Sequence, residues 1–293
     1  MSIRLFLHLE NYCYNKAMTM TQWLQEAYNE LLKIGIPSAR LDAELILADS
    51  LQRDRTYLHA HSDDSLEASV EVAADAQLIR RLGRQPIAYL IGRKEFYCRD
   101  FTVSAATLIP RPESEAIIDT LKDLLSTDRS PSSNRPLRLV DVGTGSGCLG
   151  ITAKLEIPEL EVSLLDISQP ALEIAHQNAE RLKADVTIIS SNLLKAYQLK
   201  ANIIIANLPY VDRTWHCSPE TAFEPEIALF ADDAGLTLIK QLIDQTPAKL
   251  RPSGLLILEA DPRQHQAIID YADKRGLGLV LIQDYCLVLR GRL

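Results

Sequence analysis

The chain has 293 residues, 47% of them hydrophobic, and a formal net charge of −8. This length accommodates two domains, and the apolar share is enough for sizeable cores. No apolar run approaches the roughly 18 residues of a membrane-crossing helix, and an acidic chain is poorly suited to hold nucleic acid by bulk charge.

One local exception is the cluster Arg80, Arg81, Arg84, Arg93, Lys94 and Arg99, which reads equally well as a solvated helix face and hairpin. The five cysteines (Cys13, Cys98, Cys148, Cys217, Cys286) form no CxxC pair, the usage of reduced intracellular thiols. His59 and His61 form an HxH with no further ligands nearby. Structural zinc takes four, so no metal is expected.

Residues 1–18 are expected to be a disordered extension. Their apolar run, Leu5 to Leu9, ends at Glu10 and is too short for a signal peptide. Met18 and Met20 are alternative starts. Residues 19–84 carry a helical pattern. Thr19 and Gln22 predict a capping box, and Leu24, Ala27, Tyr28, Leu31 and Leu32 fall on one face. A second helix from Ser38 aligns Leu41, Leu45 and Ala48. A third, from about Ser65, aligns Leu66, Val70, Ala73 and Ala74, with Leu78 and Leu82 beyond. Together these predict a small helical bundle.

Residues 85–108 change character, with two short β-rich segments separated by Gly92, and predict a hairpin linker. From 109 to 293 the pattern is IPRPESE, a helix ending near Thr127, and a loop at Ser130 to Pro136. Apolar strands and amphipathic helices then alternate: strands at 137–142, 161–165, 186–190, 202–206 and 255–259, helices between them, and two closing strands. Such alternation predicts a doubly wound, mainly parallel α/β sheet.

Three features carry chemistry. Asp141 opens a loop with Gly143, Thr144, Gly145, Ser146 and Gly147 between the first strand and a helix. Glycines there let a ligand approach the backbone. The spacing is GxGxG rather than the dinucleotide GxGxxG, which favours S-adenosylmethionine over a nicotinamide or flavin. Asp141 could accept hydrogen bonds from the methionine ammonium.

Asp166 ends the second strand, where a carboxylate can take ribose hydroxyls. Ser168 is the better helix cap and leaves Asp166 available. Asn192, after the third strand, could meet an adenine edge or serve as a turn residue. Finally, Asn207, Leu208, Pro209 and Tyr210 follow the strand at 202–206. The Asn207 side-chain oxygen and the Leu208 carbonyl can each accept one N–H of a planar NH2 group. That arrangement aims the nitrogen lone pair and opposes charge growing on it. Pro209 stiffens the turn, and Tyr210 offers a ring to a planar substrate.

With these motifs in place, the chain resembles the release factor glutamine methyltransferases. The resemblance runs from about Thr21 to the C-terminus. It includes QPIAYLIG (85–92), EFY (95–97), LIPRPESE (108–115), DVGTGSG (141–147), NLPYVD (207–212) and FEPEIALFADDAGL (223–236). It implies a Rossmann-like methyltransferase domain at 109–293, a hairpin linker at 85–108 and a helical substrate-recognition domain at 19–84. It also implies S-adenosyl-L-methionine as cofactor, lined by Gly143 to Gly147, Asp166, Leu193 and Asn207. Asn207 to Tyr210 would hold the glutamine amide of the GGQ motif of peptide chain release factors.

Leu208 stands where the family usually has proline, Asn192 where an aspartate is common, and Glu259-Ala-Asp261 where Glu-x-Gly is usual. A monomeric cytoplasmic enzyme is expected, with no membrane and no direct nucleic-acid partner. Three alternatives remain open at this point: an adenine-N6 methyltransferase of ribosomal RNA, a glutamine methyltransferase of a ribosomal protein, and a non-catalytic module on the same fold.

Overall fold

The structure, a computed structural model, describes residues 18–127 and 136–292. The expected N-terminal extension to residue 17, Cys13, and most of the Ser130 to Pro136 loop lie outside the described residues. The chain divides into two compact units, with the boundary between Ile91 and Gly92.

The first unit is helical: α1 Met20–Lys33, α2 Ala39–Leu51, α3 Arg55–Ala60, α4 Ala68–Leu82 and α5 Ile87–Ile91. The Thr19–Gln22 capping box forms as expected. Met20, Trp23, Ala27 and Leu31 then recur along the buried face of α1, the spacing of an amphipathic helix. The face expected for α2 is only partly right. Ala48 is buried, but Leu41 is 42% exposed, and the buried side runs through Ala39, Ala43, Ile46 and Leu47.

Asp42 also lies on that buried face, and its Oδ2 accepts from Arg81 Nε of α4 at 2.7 Å. A charge with a buried partner can occupy a core face that hydropathy would give to leucine, and breaking such a pair typically costs about 3–5 kcal/mol. Arg81 therefore leaves the surface basic cluster. Within the second unit Arg99 is paired too, to Glu156 at 2.7 Å. His61 stacks on Tyr57 with ring centroids 3.9 Å apart.

The segment 85–91, expected to be β-rich, is helical. Pro86 immediately precedes the helix, its carbonyl accepting from the backbone N–H groups of Tyr89 and Leu90. Five residues are too few for a helical period to show in sequence.

In the second unit β1 (Arg93–Phe96) and β2 (Arg99–Thr102) form an antiparallel hairpin. After a 3-10 turn at Pro112–Ser114 come α6 (Glu115–Thr127), β3 (Arg138–Val142), α7 (Cys148–Glu156), β4 (Glu161–Asp166), α8 (Gln169–Leu182), β5 (Val186–Ser190) and β6 (Ala201–Ala206). There follow α9 (Glu226–Leu229), α10 (Thr237–Lys249), β7 (Leu250–Glu259), α11 (His265–Asp273), β8 (Leu277–Gln283) and β9 (Cys286–Gly291). The hairpin is fastened to α8. Thr102 N donates to Asn178 Oδ1 (2.8 Å), and Asn178 Nδ2 donates to Thr102 O and Ser146 O (both 2.9 Å).

The seven-stranded sheet has the order β5-β4-β3-β6-β7-β9-β8. Strands β3 to β7 are parallel, and β9 runs antiparallel to both neighbours. Alternate residues feed two cores. Ile203 and Ile205 of β6 pack with Ile117, Ile151 and Ala175 on one face, while Ile204 and Ala206 pack with Leu242 and Ile268 on the other. This is the expected doubly wound sheet. Its order reverses between β3 and β6, the topological switch point where open α/β sheets bind ligands, at the carboxyl ends of the strands.

Candidate active site

Five strand tips converge at that crevice. The tip of β3 carries the glycine loop. Gly143 has φ +72°, and a Cβ there would stand 2.8 Å from Leu208 Cδ2. Glycine suits this place because the backbone is in the left-handed region, and any side chain would also have to displace the Leu208 methyl group. A Cβ on Gly145 would meet nothing within 4 Å; it faces the cavity.

Asp141 does not stand in the cavity wall. It is 1% exposed, and its Oδ2 accepts from Thr144 Oγ1 (2.6 Å) and Gly150 N (2.9 Å), tying the loop to α7. Burial pushes its pKa up to about 6 against those two hydrogen bonds. Its Oδ1 is buried with no partner. Gly147 also lies outside the cavity wall, directed at Ile151 and Ala175.

Asp166, at the tip of β4, accepts Gly145 N on Oδ2 and Ser168 N on Oδ1, both at 2.9 Å. Ser168 caps α8 as expected, its Oγ accepting from Ala171 N at 3.3 Å. Asp166 is thus fixed in direction, and each carboxylate oxygen keeps a lone pair. Beyond β5, Ser191 Oγ donates to Leu193 O (2.6 Å) and accepts from Ala196 N (3.0 Å). These bonds hold Leu193 at φ +52°.

Gly143, Thr144, Gly145, Ser146, Asp166, Asn192, Leu193, Asn207, Leu208 and Pro209 all line one cavity of about 210 Å³. Tyr210 does not. Its hydroxyl donates to Glu259 Oε1 at 3.0 Å, and burial, with Glu259 adding to it, raises its pKa.

Sequence reasoning missed several residues here. Ser114, from IPRPESE, accepts from Asn207 Nδ2 at 3.0 Å and donates to Glu259 Oε2 at 2.5 Å. Glu259 is 2% exposed at the tip of β7. Burial raises its pKa, partly offset by hydrogen bonds from Ser114, Tyr210 and Asn207. Glu224 joins two cavity-lining segments, accepting Ile109 N (3.1 Å) and Arg111 Nη2 (2.5 Å). Gln264 Nε2 donates to Tyr210 O and Ala234 O, both at 2.8 Å. The only sequence signal for Ser114 and Glu224 was the family-like segment around each.

These residues suit a donor carrying an ammonium, a ribose and an adenine. Asp166 is oriented at a strand tip, Gly145 leaves open space beside it, and the cavity is walled by backbone of the glycine loop and by Asn192 and Leu193.

Residues 22–92 match the family model described as the PrmC N-terminal domain, and residues 114–221 match the methyltransferase small domain. A release factor glutamine methyltransferase of Koribacter versatilis is 37% identical, covering 90% of this chain and 98% of its own. The chain belongs to the release factor glutamine methyltransferase family. Another family member, from Staphylococcus aureus, is 34% identical over 84% of this chain and 87% of its own. A methyltransferase structure from Pyrococcus furiosus shares the fold at a TM-score of 0.51, with 17% identity over 75% of this chain and 98% of its own. As a member of this family the protein is a methyltransferase that uses S-adenosylmethionine.

Replacing Asp166 by alanine is expected to weaken donor binding about 10-fold or more, because a hydrogen bond to a charged acceptor contributes about 1.5–3 kcal/mol. Calorimetry on a folded Asp166→Ala protein checks this; an unchanged affinity would remove Asp166 from the site.

Proposed function

We propose that this cytoplasmic enzyme methylates the side-chain amide nitrogen of the GGQ glutamine in peptide chain release factors. The carrying observation is the fixed Asn207 amide. Its Nδ2 is committed to Ser114, and the residue lines the cavity beside the glycine loop. S-adenosylmethionine supplies an electrophilic methyl group when bound. Gly143 to Ser146, Asp166, Asn192 and Leu193 hold it. Asn207 Oδ1 and the Leu208 carbonyl each take one N–H of the glutamine amide, which fixes the nitrogen lone pair in direction. The same two dipoles oppose the positive charge that grows on that nitrogen. Pro209 keeps the turn stiff. Tyr210, outside the cavity wall, supports the loop through Glu259.

No helix among the described residues is long and apolar enough to cross a membrane. Labelled donor offered with release factor, ribosomal protein and ribosomal RNA should label release factor alone, and a GGQ→GGA release factor should stay unlabelled. Label on the RNA or the ribosomal protein would replace this reading with one of its alternatives.

The helical unit is assigned to substrate recognition. It has its own core around Trp23, Leu47 and Leu78, and the motif residues above all lie beyond Gly92. A chain of residues 92–293 is expected to bind the donor and to methylate release factor poorly; full activity in that chain would overturn the assignment.

A further inference from the structure

Asn207 can perform its assigned task in only one of two orientations. Its side-chain oxygen and nitrogen are nearly isosteric, and a half-turn of the terminal torsion exchanges them. With the nitrogen forward, an NH2 donor would meet the NH2 of the substrate, and the acceptor would be lost.

What selects the orientation lies behind the residue. Glu259 sits at the closed end, and the Ser114 and Tyr210 hydroxyls both donate to it, at 2.5 and 3.0 Å. A carboxylate accepts hydrogen bonds and has none to give. Ser114 therefore spends its single proton on Glu259 and offers only lone pairs to Asn207. The amide end that can meet a lone pair is the NH2, and Nδ2 stands 3.0 Å from Ser114 Oγ.

We propose that Ser114 and Glu259 are positioning residues for methyl transfer: the acceptor-only carboxylate imposes a direction on the chain Asn207–Ser114–Glu259, and that direction presents Asn207 Oδ1 to the substrate amide. The three residues come from the turn before α6, the tip of β6 and the tip of β7, with 93 and 145 positions separating Ser114 from its two partners. Tyr210 fills the other oxygen of Glu259, so the carboxylate is held from both sides. The proposal rests on the reading that Asn207 holds the amide.

The test measures single-turnover methyl transfer to release factor at saturating donor, donor affinity by calorimetry, and the melting temperature. Ser114→Ala removes the lone pairs. Glu259→Gln keeps the shape and adds a donor end that can reverse the chain. Each is expected to slow transfer by about 10–100-fold, less than or up to the loss of a preorganised group at the reacting atom, with donor affinity within about two-fold of the parent. Ser114→Thr, which keeps the hydroxyl, should restore most of the rate.

The deciding readout is the double substitution. If Ser114 acts through Asn207, then Ser114→Ala added to Asn207→Ala costs nothing further, whereas independent structural damage multiplies. Folded Ser114→Ala and Glu259→Gln proteins transferring within two-fold of the parent, or losses that multiply in the double variant, overturn the proposal. If Asn207→Ala itself transfers at the parental rate, the reading of Asn207 has failed, a result distinct from an impaired Asn207→Ala beside unimpaired Ser114 and Glu259 variants.

Discussion

Asn207→Ala is expected to lower the single-turnover rate of methyl transfer by about 10²–10³-fold, the usual effect of deleting one preorganised polar partner of a developing charge. Donor affinity should change far less. On the proposed reading the donor is held mainly by the tips of β3, β4 and β5, where Asp166 is fixed by Gly145 N and Ser168 N, while Asn207 borders it from β6. Stability should also change little, since Asn207 is partly exposed and its side chain bonds only to the Ser114 hydroxyl and the Glu259 carboxylate behind it. A view in which Asn207 only ends a strand forecasts the reverse: a drop in melting temperature with transfer intact. Single-turnover rates with saturating donor, beside a melt of the same protein, separate the two. Transfer within a few-fold of the parent in a folded variant would mean that another group positions the nitrogen.

The second large effect is expected at Gly235, outside the cavity. Gly235 has φ +82°, and a Cβ there would lie 1.9 Å from the Tyr210 carbonyl oxygen and 2.5 Å from Gln264 Nε2. Both belong to the clasp in which Gln264 joins Tyr210 O to Ala234 O. Gly235→Ala must either unwind the 232–236 turn or push the Asn207–Tyr210 segment away. A left-handed alanine costs about 1–2 kcal/mol, and overpacking a closed site about 1–3 kcal/mol. A loss of about 2–5 kcal/mol is therefore expected, with slowed transfer in the folded fraction because the β6 tip moves. Gly276 is the control. It is also left-handed, at φ +76°, but a Cβ there meets nothing within 4 Å, so Gly276→Ala should show only the conformational part. Denaturant midpoints of the two variants decide the matter; equal losses would mean that the close approach to Tyr210 has no consequence.

Much of this protein was legible in its amino-acid order. Strands buried on both faces, such as Ala201–Ala206, are continuous apolar runs, and the helices between them carry one apolar side, so the alternation of elements shows without a structure. The glycine loop, Asp166 and the Asn207 tetrad are legible because each sits immediately after a strand, and parallel strands deliver their carboxyl ends to one edge of the sheet. Caps at Thr19 and Ser168 are equally local, set by a side chain and a backbone N–H three residues away.

Tertiary structure decided what depends on distant partners. The buried face of α2 follows from the meeting of Asp42 with Arg81, 39 positions away, and hydropathy alone would keep a carboxylate out. Asp141 points beneath the loop because Thr144 and Gly150 take its oxygen. Tyr210 turns its hydroxyl to Glu259, and Ser114 reaches Asn207, because sheet order sets β6 beside β7 and lays the turn before α6 across both tips. Residues 93 and 145 positions apart become hydrogen-bonded neighbours there. A hydroxyl or carboxylate in sequence carries no mark of the group it will face, and on the proposal above it is the facing group that sets the direction in which Asn207 presents its amide.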